Sequence, residues 1–127
     1  MAEVRVSLQV SVEHVDGVAR CEIVGEVDMA TTPQLRDELL GLVDAGNQYL
    51  VLDVSGVPFL DSTGLGVLME VHRRLRDNSG AAALVGARPA LVRLLTITNL
   101  SRALPVYRSV EDASAAVTGS PAAEVTG

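Results

Sequence analysis

A single α/β domain, with helices packed on one mixed sheet, is the fold class this sequence predicts, on three observations. The chain opens with two short apolar runs that read as a strand pair. After them, apolar runs and amphipathic stretches of helical period alternate, as strands and helices do in such folds. Its length of 127 residues is enough to bury a core and too little for two independent ones.

Val4, Val6, Leu8 and Val10 alternate with Arg5, Ser7 and Gln9, the pattern of a strand with one buried face. A second run, Val18 to Val24, follows the turn pair Asp16-Gly17, so the two are expected to pair as an antiparallel hairpin. Cys21 falls in this run as a small core residue, and His14 falls at the surface or in the turn. The first helix takes Thr32 as N-cap and Pro33 as its first helical position, and stops at Gly46-Asn47. Leu35, Leu39, Leu42 and Val43 share one face of it, and Arg36, Asp37 and Glu38 look outward.

The run "YLVLDVSG" is apolar on both faces, which predicts a central strand parallel to a neighbour. Ser62 to Asp77 reads as a second helix, with Leu68, Val71 and Leu75 inward and His72 on a charged, solvated last turn. "AAALVG" is another strand, and Pro89 starts a third helix carrying Leu91, Leu94 and Leu95. Ser109 and Asp112 form a capping box for a last helix ending near Val117. The expected domain spans residues 1–117, and residues 118–127, "TGSPAAEVTG", lack periodicity and read as a flexible tail.

Hydrophobic residues make up 48% of the chain, yet its only aromatics are Tyr49, Phe59 and Tyr107, so there is no platform on which bases stack. The formal net charge is -6 and all 10 basic residues are Arg, without a basic stripe to neutralise phosphates, so no nucleic-acid partner is expected. Cys21 is the only cysteine, which excludes an internal disulfide and leaves no metal-ligand spacing. No apolar run approaches the ~18 residues of a membrane span, and no signal peptide is legible. A cytoplasmic protein with no membrane partner is the expectation.

One stretch does not fit a purely structural reading. "FLDSTGLGV", residues 59–67, places Asp61, Ser62 and Thr63 where a strand turns into a helix. Asp and Ser are both favoured N-caps, because their oxygens accept from the unpaired first amides of a helix. Capping accounts for one of them. Gly64 and Gly66 each cost about 1 kcal/mol in helix propensity relative to Ala, so they need a packing or an access explanation.

Several chemistries fail on spacing. A hydrolase elbow needs Gly two positions to each side of its Ser, and Leu60 stands on one side. Asp61 is one residue too far from Gly64 for an aspartic protease. A phosphate-cradling loop needs a Lys that the chain lacks. Metal binding by Asp61 with a distant acid stays open. So does phosphorylation of Ser62 by another protein, for which an exposed hydroxyl at a helix N-terminus is sufficient.

Three stretches together resemble the anti-sigma factor antagonists, bacterial proteins made of a single STAS domain: "GEVD" at 25–28, "FLDSTGLGV" at 59–67 and "RLLTITNLSRALPVYRSVEDA" at 93–113. The resemblance implies a STAS-type mixed sheet of about four or five strands, opened by the hairpin and flanked by about four helices. It implies that Ser62 is the phosphoacceptor, that an anti-sigma factor with serine-kinase activity is the partner, and that a metal-dependent serine phosphatase resets the switch. No cofactor and no turnover by the isolated chain are expected. Asp28 corresponds to a family acid near the partner-facing site, and the expected partner-binding set is Asp28, Asp61, Ser62, Thr63, Gly64 and Gly66. Where the resemblance leads one to expect Gly near residue 99, the chain has Asn99, the next most tolerant residue of a left-handed helix end. The competing reading is a STAS module that reads a small molecule or docks into a stress-sensing assembly without a switch at Ser62. The transporter form of the domain is not expected, since no transporter-like segment precedes it in this sequence.

Overall fold

The computed structural model describes residues 8–119. In chain order it has β1 (Gln9–Val15), β2 (Val18–Val24), α1 (Thr32–Asp44), β3 (Tyr49–Gly56), α2 (Ser62–Asp77), β4 (Ala81–Val85), α3 (Pro89–Ile97), β5 (Val106–Tyr107) and α4 (Val110–Thr118). The five strands form one sheet in the order β1-β2-β3-β4-β5. Only the β1–β2 pair is antiparallel; the other three neighbouring pairs are parallel. This is the mixed sheet with four helices that the sequence predicts.

The hairpin turn is built as expected, with Asp16 at φ 51° and Gly17 at φ 81°, two positive values in succession as a type I′ turn requires. The turn pairs Val15 with Val18, and from there the ladder zips back to Gln9 opposite Val24. Among the described residues the first strand is therefore Gln9–Val15, which runs past Val10 as far as the turn. A two-residue turn leaves no slack between strands, and that constraint carries the strand past the cleanest alternation. Val4 and Val6 lie outside the described residues.

Alternate residues of the central strand supply two cores. Leu50, Leu52 and Val54 join Ile23, Leu35, Leu39, Leu68, Leu75 and Leu95 in the larger one, under α1, α2 and α3. Val51 turns the other way and joins Val18, Ala83, Val85, Ala113 and Val117 beneath α4. That division is why β3 carries apolar residues on both faces, Leu50, Leu52 and Val54 on one and Val51 on the other. On α1, Leu40 is buried and Leu42 only partly so, a small rotation of the expected inward face. On α3, Leu91 and Leu95 are buried and Leu94 is half-buried. His14 is exposed as read, whereas His72 is half-buried, and burial, then Arg76 and Arg73, hold its pKa below the usual histidine value.

Three helix ends behave as their residues dictate. Ser109 accepts from the Asp112 amide at 3.0 Å and caps α4. Asn99, at φ 62°, takes the left-handed position just past α3. At α1 the cap is Thr31, and Thr32 is already the first helical residue with Pro33 following it, a one-residue correction.

Candidate functional site

Because β2 and β3 are parallel and each leads into a helix, α1 and α2 both start at the carboxyl end of the sheet. Beyond the regular ladder the two chains stay paired through a parallel bridge between Val27 and Leu60. The Val27 amide donates to the Phe59 carbonyl at 2.9 Å, and the Asp61 amide donates to the Val27 carbonyl at 3.1 Å. This bridge brings Asp28 and Asp61, the residues that follow it, to the same end of the sheet.

Asp61 is the N-cap of α2. Its Oδ1 accepts from the Thr63 amide at 2.9 Å and the Gly64 amide at 3.1 Å, and from the Thr63 hydroxyl. The Thr63 hydroxyl above all, helped by the Gly64 and Thr63 amides, holds the carboxyl below the ordinary aspartate range against burial, an opposing effect larger than that of either amide. Ser62, the first helical residue, is exposed, and among the described residues its hydroxyl has no hydrogen-bond partner.

Asp28 makes a related local turn. Its Oδ1 accepts from the amides of Ala30 at 2.9 Å and Thr31 at 3.2 Å. The Thr31 hydroxyl accepts from the Asp28 amide at 3.0 Å and donates to the Glu26 carbonyl at 2.8 Å.

The two glycines of the motif have different causes. A Cβ on Gly64 would lie 2.5 Å from Val27 Cγ1 and 2.9 Å from Leu60 Cγ, so its bareness lets the first turn of α2 press onto the bridge. A Cβ on Gly66 would meet nothing within 4 Å, and the residue is exposed one helical turn after Ser62. Gly64 answers to packing, while Gly66 faces open space.

Sequence reasoning missed two neighbours. Met29, beside Asp28, is 73% exposed, and Phe59, beside the bridge, is 51% exposed. The available signal was a large apolar residue in a connection, outside any strand or helix period; Phe59 instead reads as the end of a buried strand. Among the described residues no group of three His, Cys, Asp or Glu could hold a metal ion. Cys21 is buried, with its thiol pushed up to about 12 by desolvation and the charge of Glu38, so it is not a reactive nucleophile. A cavity of about 380 Å³ opens on the α4 side of the sheet, lined by Glu13, Arg20, Val51 and Glu111 among others, and includes none of the acid and hydroxyl residues above.

The STAS domain family model matches residues 9–113, from β1 into α4. The chain belongs to the STAS domain family. It is 28% identical over 102 residues to the anti-sigma F factor antagonist of Paenibacillus polymyxa, covering 80% of this chain and 87% of that protein. A solved anti-sigma factor antagonist from Mycobacterium paratuberculosis superposes with a TM-score of 0.79 at 35% identity, covering 88% of this STAS chain and 95% of that one. The phosphorylated form of SpoIIAA from Bacillus shares the fold, with a TM-score of 0.67 at 19% identity over 81% of this chain and 95% of that one.

Proposed function

We propose that this STAS domain is an anti-sigma factor antagonist switched at Ser62. Unphosphorylated, it binds an anti-sigma factor and so frees a sigma factor; a phosphate placed on Ser62 by that anti-sigma factor, acting as a serine kinase, blocks the binding. A metal-dependent serine phosphatase restores the first state. The observation that carries the reading is an exposed Ser62 hydroxyl, without a partner among the described residues, on the first turn of a helix whose cap is already supplied by Asp61. The names of its relatives point the same way.

The fold tolerates the added group. Phosphoserine carries about -1.5 to -2 charge, and a helix N-terminus favours an anion by roughly 0.3–1 kcal/mol. Across an interface the balance reverses. One like-charge pair at ~6 Å and an effective dielectric of ~20 costs ~3 kcal/mol, about a hundredfold in affinity. Asp28 and Asp61 give the surface its charge, and the exposed Met29 and Phe59 give it apolar anchors. A partner with a basic patch around an apolar recess fits that combination.

Incubation with ATP and the anti-sigma factor encoded nearest its gene is expected to add one phosphate, ~80 Da, located on Ser62. S62A should bind the partner and take no phosphate, and S62D should bind about a hundredfold more weakly. Equal affinity of S62A and S62D would count decisively against the switch.

A further inference from the structure

Two hydroxyls stand next to each other at the start of α2, and both residues are exposed. What separates them is their bonding. Thr63 commits its hydroxyl and its amide to Asp61 Oδ1, whereas Ser62 makes no side-chain hydrogen bond to any described residue. We propose that Thr63 is the positioning residue of this site: its hydroxyl pins the Asp61 carboxylate to the helix start, which withdraws Thr63 from phosphoryl transfer and leaves Ser62 as the hydroxyl free to react. This inference rests on the phosphoacceptor reading of Ser62.

A hydroxyl that attacks phosphorus must turn a lone pair toward it and release its proton. In the transfer the Ser62 Oγ–P bond forms, and the bond from the γ-phosphorus to the β–γ bridging oxygen of the nucleoside triphosphate breaks. The nucleoside diphosphate leaves, and the serine proton passes to a base of the kinase. Thr63 is poorly placed for that role, because its hydroxyl is held by a charge-assisted bond and its branched Cβ restricts rotation. Asp61 is a poor base, because three donors on one oxygen favour its ionised form. Without the Thr63 hydroxyl, the Asp61 carboxylate has one donor fewer and becomes free to capture the adjacent serine hydroxyl. The threonine thereby protects the reactivity of its neighbour.

Three variants test this with γ-labelled ATP and the same kinase. Thr63→Val keeps the shape and removes the donor, and its kcat/KM for phosphorylation should fall about tenfold, the scale of one hydrogen bond to a charged group. Thr63→Ser restores the donor and should stay within about twofold of wild type. Ser62→Ala should gain no phosphate at Thr63. A purely structural role for Thr63 would lower thermal stability while leaving kcat/KM and the modified position unchanged. Phosphate on Thr63 in Ser62→Ala, or wild-type kcat/KM in Thr63→Val, overturns the proposal and leaves the phosphoacceptor reading standing; a wild-type chain that takes no phosphate removes both. A carboxyl NMR titration without kinase reads the contact itself. The Asp61 midpoint should rise in Thr63→Val and stay in place in Thr63→Ser, and an unmoved midpoint in Thr63→Val overturns the positioning role.

Discussion

At the start of α1, Asp28 gathers the amides of Ala30 and Thr31, the Thr31 hydroxyl is held by the Glu26 carbonyl, and Thr32 is 8% exposed. At the start of α2, Asp61 gathers the amides of Thr63 and Gly64, and Thr63 gives its hydroxyl to the same oxygen. Each start sets an acid and two hydroxyl residues where the chain turns into a helix, but only Asp61 accepts from amides that its helix leaves unpaired; α1 has no side-chain cap, and Asp28 accepts from amides that precede that helix. They differ in what remains afterwards. Burial and bonding consume both threonines of the first turn, while the second turn leaves Ser62 at the surface with no partner among the described residues. Residue type therefore does not separate the two starts; what separates them is a hydroxyl that the local structure of α2 leaves unused.

The comparison depends on the two turns being clamped together, so the largest effect is expected where the clamp is tightest. Gly64→Ala places a methyl group 2.5 Å from Val27 Cγ1 and 2.9 Å from Leu60 Cγ, so the side chains of both bridge residues must shift to make room. Overpacking of this kind costs about 1–3 kcal/mol. Denaturant unfolding should show that loss, and a stability equal to wild type would mean that the bridge is not what brings the two acids to the same end of the sheet.

Gly66→Ala sharpens the contrast from the open side. Its methyl group meets nothing within 4 Å, so the helix should gain up to about 1 kcal/mol from the better propensity of Ala. If Gly66 is kept bare for a partner, the same variant should bind the anti-sigma factor more weakly by calorimetry while unfolding at a higher denaturant concentration. Unchanged affinity would remove Gly66 from the partner face.

These opposite expectations also mark where sequence reasoning stops. Spacing shows that two glycines near a helix start need a cause, and it shows the Ser109 cap of α4, the Asp16-Gly17 turn and the full span of α2. It does not show which glycine faces a neighbour, because that depends on Val27, some 37 positions away, arriving through strand pairing. The extent of the first strand toward the turn depends on a contact of the same kind. Alternation is cleanest from Val4 to Val10, but register is set at Val15–Val18 by the turn. Local chemistry was legible in both cases; the long-range contact that selects among its uses was not.

The smallest effect, and the most specific to α2, is electrostatic. Asn is nearly as good an N-cap as Asp, so Asp61→Asn keeps the capping geometry and removes only the charge. The Asp61 carboxyl is held below the ordinary range by the Thr63 hydroxyl and the first amides of α2. A group whose pKa is lower in the folded state adds stability that is fully present above its unfolded pKa and is lost as pH falls through the folded one. Wild type should therefore exceed Asp61→Asn in melting temperature at neutral pH, by less than either glycine substitution changes it, and the gap should close with acidification. A gap independent of pH would mean that the variant acts through shape, and the charge at the start of α2 would then have no part in distinguishing it from the start of α1.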